Sequence, residues 1–518
     1  MAEEVELKLA LAEAHQSRFL RHPLLKQAVG RHAEALDNIY YDTADLSLRR
    51  RGIALRLRRK GRDWLQTVKL AGSSSAGLST RPEWETPYTG RFDFSSVDQS
   101  SVREWLQRPK LLARIIPVCE TRFRRITWQF SAAPGAVLLT LDRGWIIANG
   151  RREPISELEL ELSGAPVQAI FDLAGQLAER VSLTPAVWSK AERGYRLHTG
   201  AALAPTRPNV IALSAAMSSL DAFRVIALSC LEHLQQNHRG AVTSDDPEYI
   251  RQMRVATRRL RAALRIFAPA LPERLAESLR APLKTLTRQL DLTRNLDVLR
   301  TAIVNPALQA MPDEPRLAAL AEAINHRRDS ARSQAIATLA APGHGRTLLL
   351  ALAALHAMEI EATAAIPLAG FAAERLKRLR NRVRRSAAAA SVDNPRSLRR
   401  LRIGIKRLRH ALELFAPLAT KNTWRRAAER LAPMQDVLGQ VHDLTRAGAQ
   451  LMSCAGDDPR LREAVTLLGG WHGPRHAKLL ADIKPELARM ARLRLRPRLP
   501  KPDGCVRPDS TLSSPSGD

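Results

Sequence analysis

The sequence predicts a multidomain molecule. An N-terminal eight-stranded antiparallel β tunnel or barrel with accompanying helices, an α+β unit, precedes an all-α helical bundle with two internal repeats. Three observations carry this. Within residues 1 to about 163, short runs alternate in side-chain character with period 2, the signature of strands. From about 214 to 495, Ala, Leu and Arg dominate, and apolar residues recur at three- and four-residue steps. Within that region IRQMRVATRRLRAALRIFAP, from Ile250, matches LRRLRIGIKRLRHALELFAP, from Leu398, at ten of 20 positions without a gap.

The strands come in order as EVELKLAL, NIYYDT, IALRLRRK, WLQTVKL, RPEWET, ETRFRRITW, AVLLTLDRG and ISELELEL, separated by Gly, Ser, Pro and Asp turns. Many similarly spaced strands in one domain favour a closed barrel. The pattern changes to a helix over about 165–181. The stretch ALAPTRPNVIAL, with two prolines and little periodicity, reads as a linker. Domain boundaries follow at 1–200, 201–213 (linker) and 214–495, and 496–518, rich in Pro, Ser, Asp and Gly, is expected to be a disordered tail.

At 518 residues the chain is too long for one core, and its formal net charge is +29. The excess is uneven: residues 1–200 hold 30 Lys and Arg against 23 Asp and Glu, the remainder 51 against 29. Such a surface calls for a polyanionic partner. The four cysteines lie far apart without a C-x-x-C pair, which argues against a disulfide framework or a zinc site and fits a reducing compartment. The acidic start MAEEVELKLALAEAH lacks the features of a signal peptide, and apolar runs stop near twelve residues where a spanning helix needs about 20. The expectation is a cytoplasmic protein with no membrane partner. Nucleic acid is a weaker reading, because aromatics are only 4% of the residues and do not interleave with the basic stretches.

Strand parity sharpens the chemistry, because alternate side chains share a face. Glu4, Glu6 and Lys8 do so, as do Arg56 with Arg58, Thr67 with Lys69, Arg81 with Glu83 and Glu85, and Glu120 with Arg122 and Arg124. Thr140 pairs with Asp142, and Glu157 with Glu159 and Glu161. If these faces point inward, the barrel encloses a hydrated tunnel with both signs of charge on its wall, which must be compensated by an occupant. A polyphosphate chain satisfies the Arg and Lys groups, and a hard divalent metal, Mg²⁺ or Mn²⁺, satisfies the carboxylates.

The ordered set Glu4-x-Glu6-x-Lys8, YYDT, ALRLR, QTVK, RPEWE, LDRG, ELELEL and SKAERGY resembles the CYTH family, the triphosphate tunnel metalloenzymes, over residues 1 to about 198. The resemblance implies a tunnel that hydrolyses a triphosphate, with Glu4, Glu6, Glu159 and Glu161 at the metals. Lys8, Arg56, Arg58, Lys69, Arg122 and Arg124 would grip phosphates, joined by Lys190 and Arg193 from the segment after the barrel. Lys8, Asp142 and Glu159 are expected at the reaction centre, with Asp142 near the attacking water.

In the helical part, Arg251, Arg254, Arg258, Arg261 and Arg265 follow a 3, 4, 3, 4 spacing that places them on one helical face. Arg399, Arg402, Lys406 and Arg409 repeat it, and Glu413 ends the series. All-basic stripes repel themselves and point to an anionic ligand. These segments resemble the CHAD family, whose two helical repeats bind inorganic polyphosphate and which commonly follows CYTH; the resemblance implies polyphosphate, including its granules, as a partner. This chain departs from the family pattern in carrying Arg251 and Arg399 where histidines stand.

The leading expectation is an inorganic triphosphatase with a polyphosphate-binding helical domain. A thiamine triphosphatase, an adenylate cyclase or a non-enzymatic polyphosphate-binding protein are the alternatives.

Overall fold

A computed structural model of the chain describes residues 2–358, 367–419 and 423–494. The expected tail, 496–518, lies outside them. Eight long strands form the N-terminal part: β1 (Ala2–Leu11), β2 (Gly30–Thr43), β3 (Ile53–Lys60), β4 (Asp63–Leu70), β6 (Leu78–Pro87), β7 (Ile115–Ala132), β8 (Gly135–Ala148) and β9 (Arg151–Ser163). The short β5 (Ser73–Ser75) and β10 (Leu183–Pro185) pair onto β6 and β1. The long strands run antiparallel in the order β1-β9-β8-β7-β2-β3-β4-β6, and β6 pairs back to β1, so the sheet is a closed barrel.

The barrel inverts the usual arrangement. Leu7, Leu9, Leu139, Leu141, Leu158 and Leu160 lie on its outer face and are completely buried there, with the Val167–Leu177 helix packed on β9. Leu48, Ile53, Leu55, Val68 and Trp84 form a second outer core with Phe94, Val97, Leu106 and Leu111. With the apolar faces turned outward, the pleat forces the charged faces in.

One end of the interior is dry. Leu36, Phe123, Ile146 and Ile155 pack together there with Leu197, and Tyr40, Val118, Cys119 and Ala148 pack with Tyr195. Both aromatic and aliphatic contacts come from the Lys190–Thr199 helix, which stops this end of the barrel. Gly194 allows the approach, since a Cβ there would meet Cys119 Sγ at 2.4 Å.

The helical region carries its repeat in register: the helices Pro247–Phe267 and Pro395–Leu414 each begin with proline behind a side-chain cap, Asp246 or Asn394. By contacts the chain divides into two compact units over its described residues, Met1–Val210 with Phe223–Ile360, and Ile211–Ala222 with Glu361–Asp518. The division does not follow the 201–213 segment, because the first repeat packs with the barrel. Its Pro342–His356 helix lies on the Val167–Leu177 helix and on β10, so closely that a Cβ on Gly345 would meet the Leu183 carbonyl oxygen at 1.6 Å. No described helix is long and apolar enough to cross a membrane.

Candidate active site in the barrel

Inward-facing side chains enclose a cavity of about 730 Å³. Its carboxylate wall comes from β1 and β9, where Glu6 stands opposite Glu161 and Lys8 opposite Glu159. Glu4 is held by Lys69 at 2.7 Å, and Lys69 also reaches Glu83 at 2.8 Å. Glu6 pairs with Lys8. Glu161 makes no hydrogen bond or ion pair among the described residues. Burial first, then the charges of Glu4, Glu6 and Glu159 against the opposing Lys69, push its carboxyl up to about 7.

The cationic wall is built by β3, β6 and β7. Arg56 donates to Thr67 at 3.0 Å and lies 3.5 Å from Glu83. Arg58 is oriented by the Asn38 side-chain oxygen at 3.1 Å and, like Arg81, makes no ion pair among the described residues. Burial, with Arg56 and Arg125 nearby, pulls the Arg58 guanidinium down to about 10. Arg125 forks onto both oxygens of Asp142 at 2.7 and 2.6 Å and reaches Glu159 at 2.6 Å.

Behind this wall, the carboxylates of Asp142, Glu157 and Glu159 converge closely enough to hold a metal ion. In this structure their common cation is the Lys190 ammonium, 2.6 Å from Asp142, 2.5 Å from Glu157 and 3.0 Å from Glu159. Burial opposes the charge of Lys190, but these three carboxylates outweigh it and hold the ammonium far above the ordinary lysine range. Burial likewise opposes Glu159, yet Lys190, Lys8 and Arg125 hold it well below the ordinary carboxylate value.

The structure thus gathers Glu4, Glu6, Lys8, Arg56, Arg58, Lys69, Glu159, Glu161 and Lys190 around one cavity. Three expectations are corrected. Arg122 and Arg124 lie exposed on the outer face, because β7 presents Thr121, Phe123 and Arg125 inward. Asp142 is completely buried behind the wall, gripped by Arg125 and Lys190, and does not line the cavity as a free carboxylate beside water would. Arg193 turns away to Glu153 at 2.7 Å and Glu157 at 2.9 Å. Arg81, Arg125 and Asn38 were missed as site residues. Arg81 shares a face with Glu83 and Glu85, a signal already legible in the alternation; Arg125 follows a second arginine, and parity alone does not choose between them.

The lining is also less basic than expected, with eight cationic side chains against seven carboxylates. A polyanion entering alone would leave it strongly negative. Of the carboxylates at this cavity Glu161 has no ion-pair partner among the described residues, and its hard oxygens fit a divalent cation entering with that polyanion.

A family model described as the CYTH domain matches residues 2–195, and one described as the CHAD domain matches residues 225–451. The chain carries a CYTH domain followed by a CHAD domain. The chain is similar to an inorganic triphosphatase of Haemophilus influenzae, 30% identical over 198 residues, which are 38% of this chain and 55% of that protein. The chain therefore matches about half the length of this curated relative. Among solved structures it is similar to the CHAD domain from the plant Ricinus communis, with 28% identity, TM-score 0.48, and coverage of 57% of this chain and 99% of that one. It is also similar to HpAC1 from Hippeastrum, described by its dominant triphosphatase activity, with 21% identity, TM-score 0.29, and coverage of 38% and 95%.

The CHAD domain holds both basic stripes, and acidic partners temper them. In the first repeat Arg251 pairs with Glu248 and Arg254 with Asp291, both at 2.6 Å, while Arg261 makes no pair among the described residues. Arg258 is half-buried and Arg265 exposed on the same helix. In the second repeat Arg399 lines a cavity of about 370 Å³ with Arg396, His442 and Arg446. Burial, with Arg399 and Arg446 nearby, pulls Arg402 below the ordinary arginine value against the opposing charge of Asp443. Lys406 is half-buried, and Arg409 pairs with Glu413 at 3.0 Å.

Proposed function

We propose that the CYTH barrel hydrolyses inorganic triphosphate to diphosphate and phosphate with Mg²⁺ or Mn²⁺, and that the CHAD domain binds long-chain polyphosphate. The observation that carries this reading is the presence, in one cavity, of the Arg58 and Arg81 guanidiniums and the Glu161 carboxylate, none of which makes an ion pair among the described residues. Phosphate oxygens answer the first and a divalent cation the second.

In this reading Arg56, Arg58, Arg81 and Arg125 hold the phosphate chain by charge-assisted hydrogen bonds, with Asn38 and Asp142 aiming Arg58 and Arg125. Glu4, Glu6 and Glu161 hold the metal, with Glu159 at their edge. The bound cation supplies neutralising charge and a more acidic water. Water adds to the terminal phosphorus as the bridging P–O bond breaks, diphosphate leaves with the electron pair, and the proton of the water passes to a phosphate oxygen. Lys8 and Lys190 stay protonated and stabilise the charge that spreads over the phosphoryl oxygens. No lining residue offers a nucleophilic Ser or Cys with a partner base, so water attacks directly.

The inorganic substrate is favoured over an organic one by the aromatic residues. Tyr40, Phe123 and Tyr195 border the cavity but are less than a tenth exposed, packed into the apolar plug, and offer no open ring for a base or thiazole to stack on. The test is phosphate release from tripolyphosphate, ATP and thiamine triphosphate with Mg²⁺ and with Mn²⁺. Fastest release from tripolyphosphate supports the reading; tight binding of all three with no release makes the barrel an anion sink.

A further inference from the structure

The inward face of β9 continues past its glutamate run, through Ile155 to Glu153, which is only 6% exposed. Glu153 meets three guanidiniums. Arg193 and Arg196 come from the helix that stops the barrel, whereas Arg239 comes from the Ser219–Thr243 helix, within the region matched by the CHAD model. Arg239 Nη1 lies 2.8 Å from Glu153 Oε1, and Arg193 Nε lies 2.7 Å from the same oxygen. The other end of the Arg193 fork donates to Glu157 at 2.9 Å. Glu157 holds Lys190 at 2.5 Å, and Lys190 reaches Glu159 at 3.0 Å. Glu159 in turn lies 3.5 Å from Lys8. Charge alternates at each contact, from the surface of the helical region to the cavity wall.

We propose that Arg239 is a positioning residue for the cavity, acting through Glu153, Arg193, Glu157 and Lys190 on Glu159. The physical basis is competition for shared oxygens. Arg239 and Arg193 divide one oxygen of Glu153. Without Arg239 that oxygen draws Arg193 closer and loosens its hold on Glu157. Glu157 then claims more of the Lys190 ammonium, which shifts away from Glu159. Each inner member is mostly buried, so a lost partner is not replaced by water at little cost. The helical region therefore sets the charge balance of a carboxylate that borders the reaction site. The kinetic part of this inference rests on the triphosphatase reading of the barrel; its structural part does not.

The test uses the full chain. Arg239→Gln removes the charge, Arg239→Lys restores it, and Arg346→Gln is the control, because Arg346 joins Glu179 at 3.0 Å between the same two regions without touching the alternating series. Two readouts are taken: steady-state hydrolysis of tripolyphosphate with Mg²⁺, and the ¹⁵Nζ resonance of Lys190 in the protein without ligand, assigned with Lys190→Arg. Arg239→Gln is expected to lower kcat about three- to tenfold with KM little changed, as coupled neighbours do. It should move the Lys190 resonance, with Arg239→Lys recovering both. Arg346→Gln should leave both at wild-type values. An unmoved Lys190 resonance in Arg239→Gln, an equal movement in Arg346→Gln, or unchanged kcat of Arg239→Gln against an active wild type overturns the proposal. A wild type that hydrolyses no triphosphate while Arg239→Gln still moves the resonance overturns the triphosphatase reading and leaves the positioning role supported.

Discussion

Glu6 and Glu161 stand directly opposite each other on β1 and β9, two carboxylates facing the same cavity. Like charges in that position destabilise a sheet, and in the proposed reading a bound cation offsets them. Glu161→Gln keeps the shape and removes the charge. Metal-dependent phosphate release should fall at least about a hundredfold, in line with the loss of a transition-state charge stabiliser. Calorimetry should find Mg²⁺ binding weakened, while the melting temperature of the metal-free protein does not fall. Full activity in this variant would remove Glu161 from the site.

The parity of β7 is tested by three arginines. Arg125→Gln strips Asp142 and Glu159 of a buried partner and should cost about 3 kcal/mol of stability together with most activity. Arg122→Gln and Arg124→Gln alter exposed side chains and should each stay within about 0.5 kcal/mol of wild type. Urea unfolding and phosphate release measured on the three proteins decide which face of β7 looks inward.

Acid should loosen the packing of the Ser219–Thr243 helix against the Pro342–His356 helix. His238 of the Ser219–Thr243 helix and His344 of the Pro342–His356 helix stack with ring centroids 5.1 Å apart, and His238 donates to the Leu339 carbonyl. Burial, with His238 alongside, lowers His344 to about 3, and burial lowers His238 as well against the Leu339 bond. Their folded values lie below the unfolded value, so the unfolded chain takes up protons first as pH falls. Stability from these rings is complete above about 6.5 and is lost as pH falls from there toward the folded values. His344→Leu should flatten the dependence of the melting temperature on pH between about 6.5 and 4. An unchanged slope would assign the acid sensitivity to the carboxylates instead.

Long-chain polyphosphate should bind the full chain without metal, and affinity should fall steeply as salt rises, because phosphate contacts release counterions. Replacing Arg254, Arg258, Arg402 and Lys406 together by Gln should remove most of that affinity while tripolyphosphate hydrolysis continues, Gln and Arg having similar helix propensity. Binding should change little between about pH 5.5 and 8, since positions 251 and 399 carry arginine rather than histidine. His442, beside them, is lowered to about 4 by burial and by Arg402, Arg446 and Arg399. Competition by duplex DNA at equal phosphate concentration should be weak; equal competition would assign the stripes to nucleic acid.

The alternation of a strand is a local property of the pleat, and it is enough to place Glu4, Glu6, Lys8, Arg56, Arg58, Lys69, Glu159 and Glu161 on inward faces and to mark the barrel, while the self-match of the segments from Ile250 and Leu398 marks the helical repeat. Adjacent arginines defeat that reasoning. Arg124 and Arg125 satisfy period 2 equally well, and the choice is made by Asp142 on the neighbouring strand, which pairs with Arg125 in register. Compensation is likewise a tertiary matter: Asp142 looks like an available carboxylate until Lys190, from a helix 48 positions later, closes over it. The contact of Arg239 with Glu153 joins residues 86 positions apart and has no trace in either local pattern. Period and spacing follow from one stretch of backbone. Which charge neutralises which depends on packing between stretches, and that is decided only when the Lys190–Thr199 helix stops the barrel and the first helical repeat packs beside it.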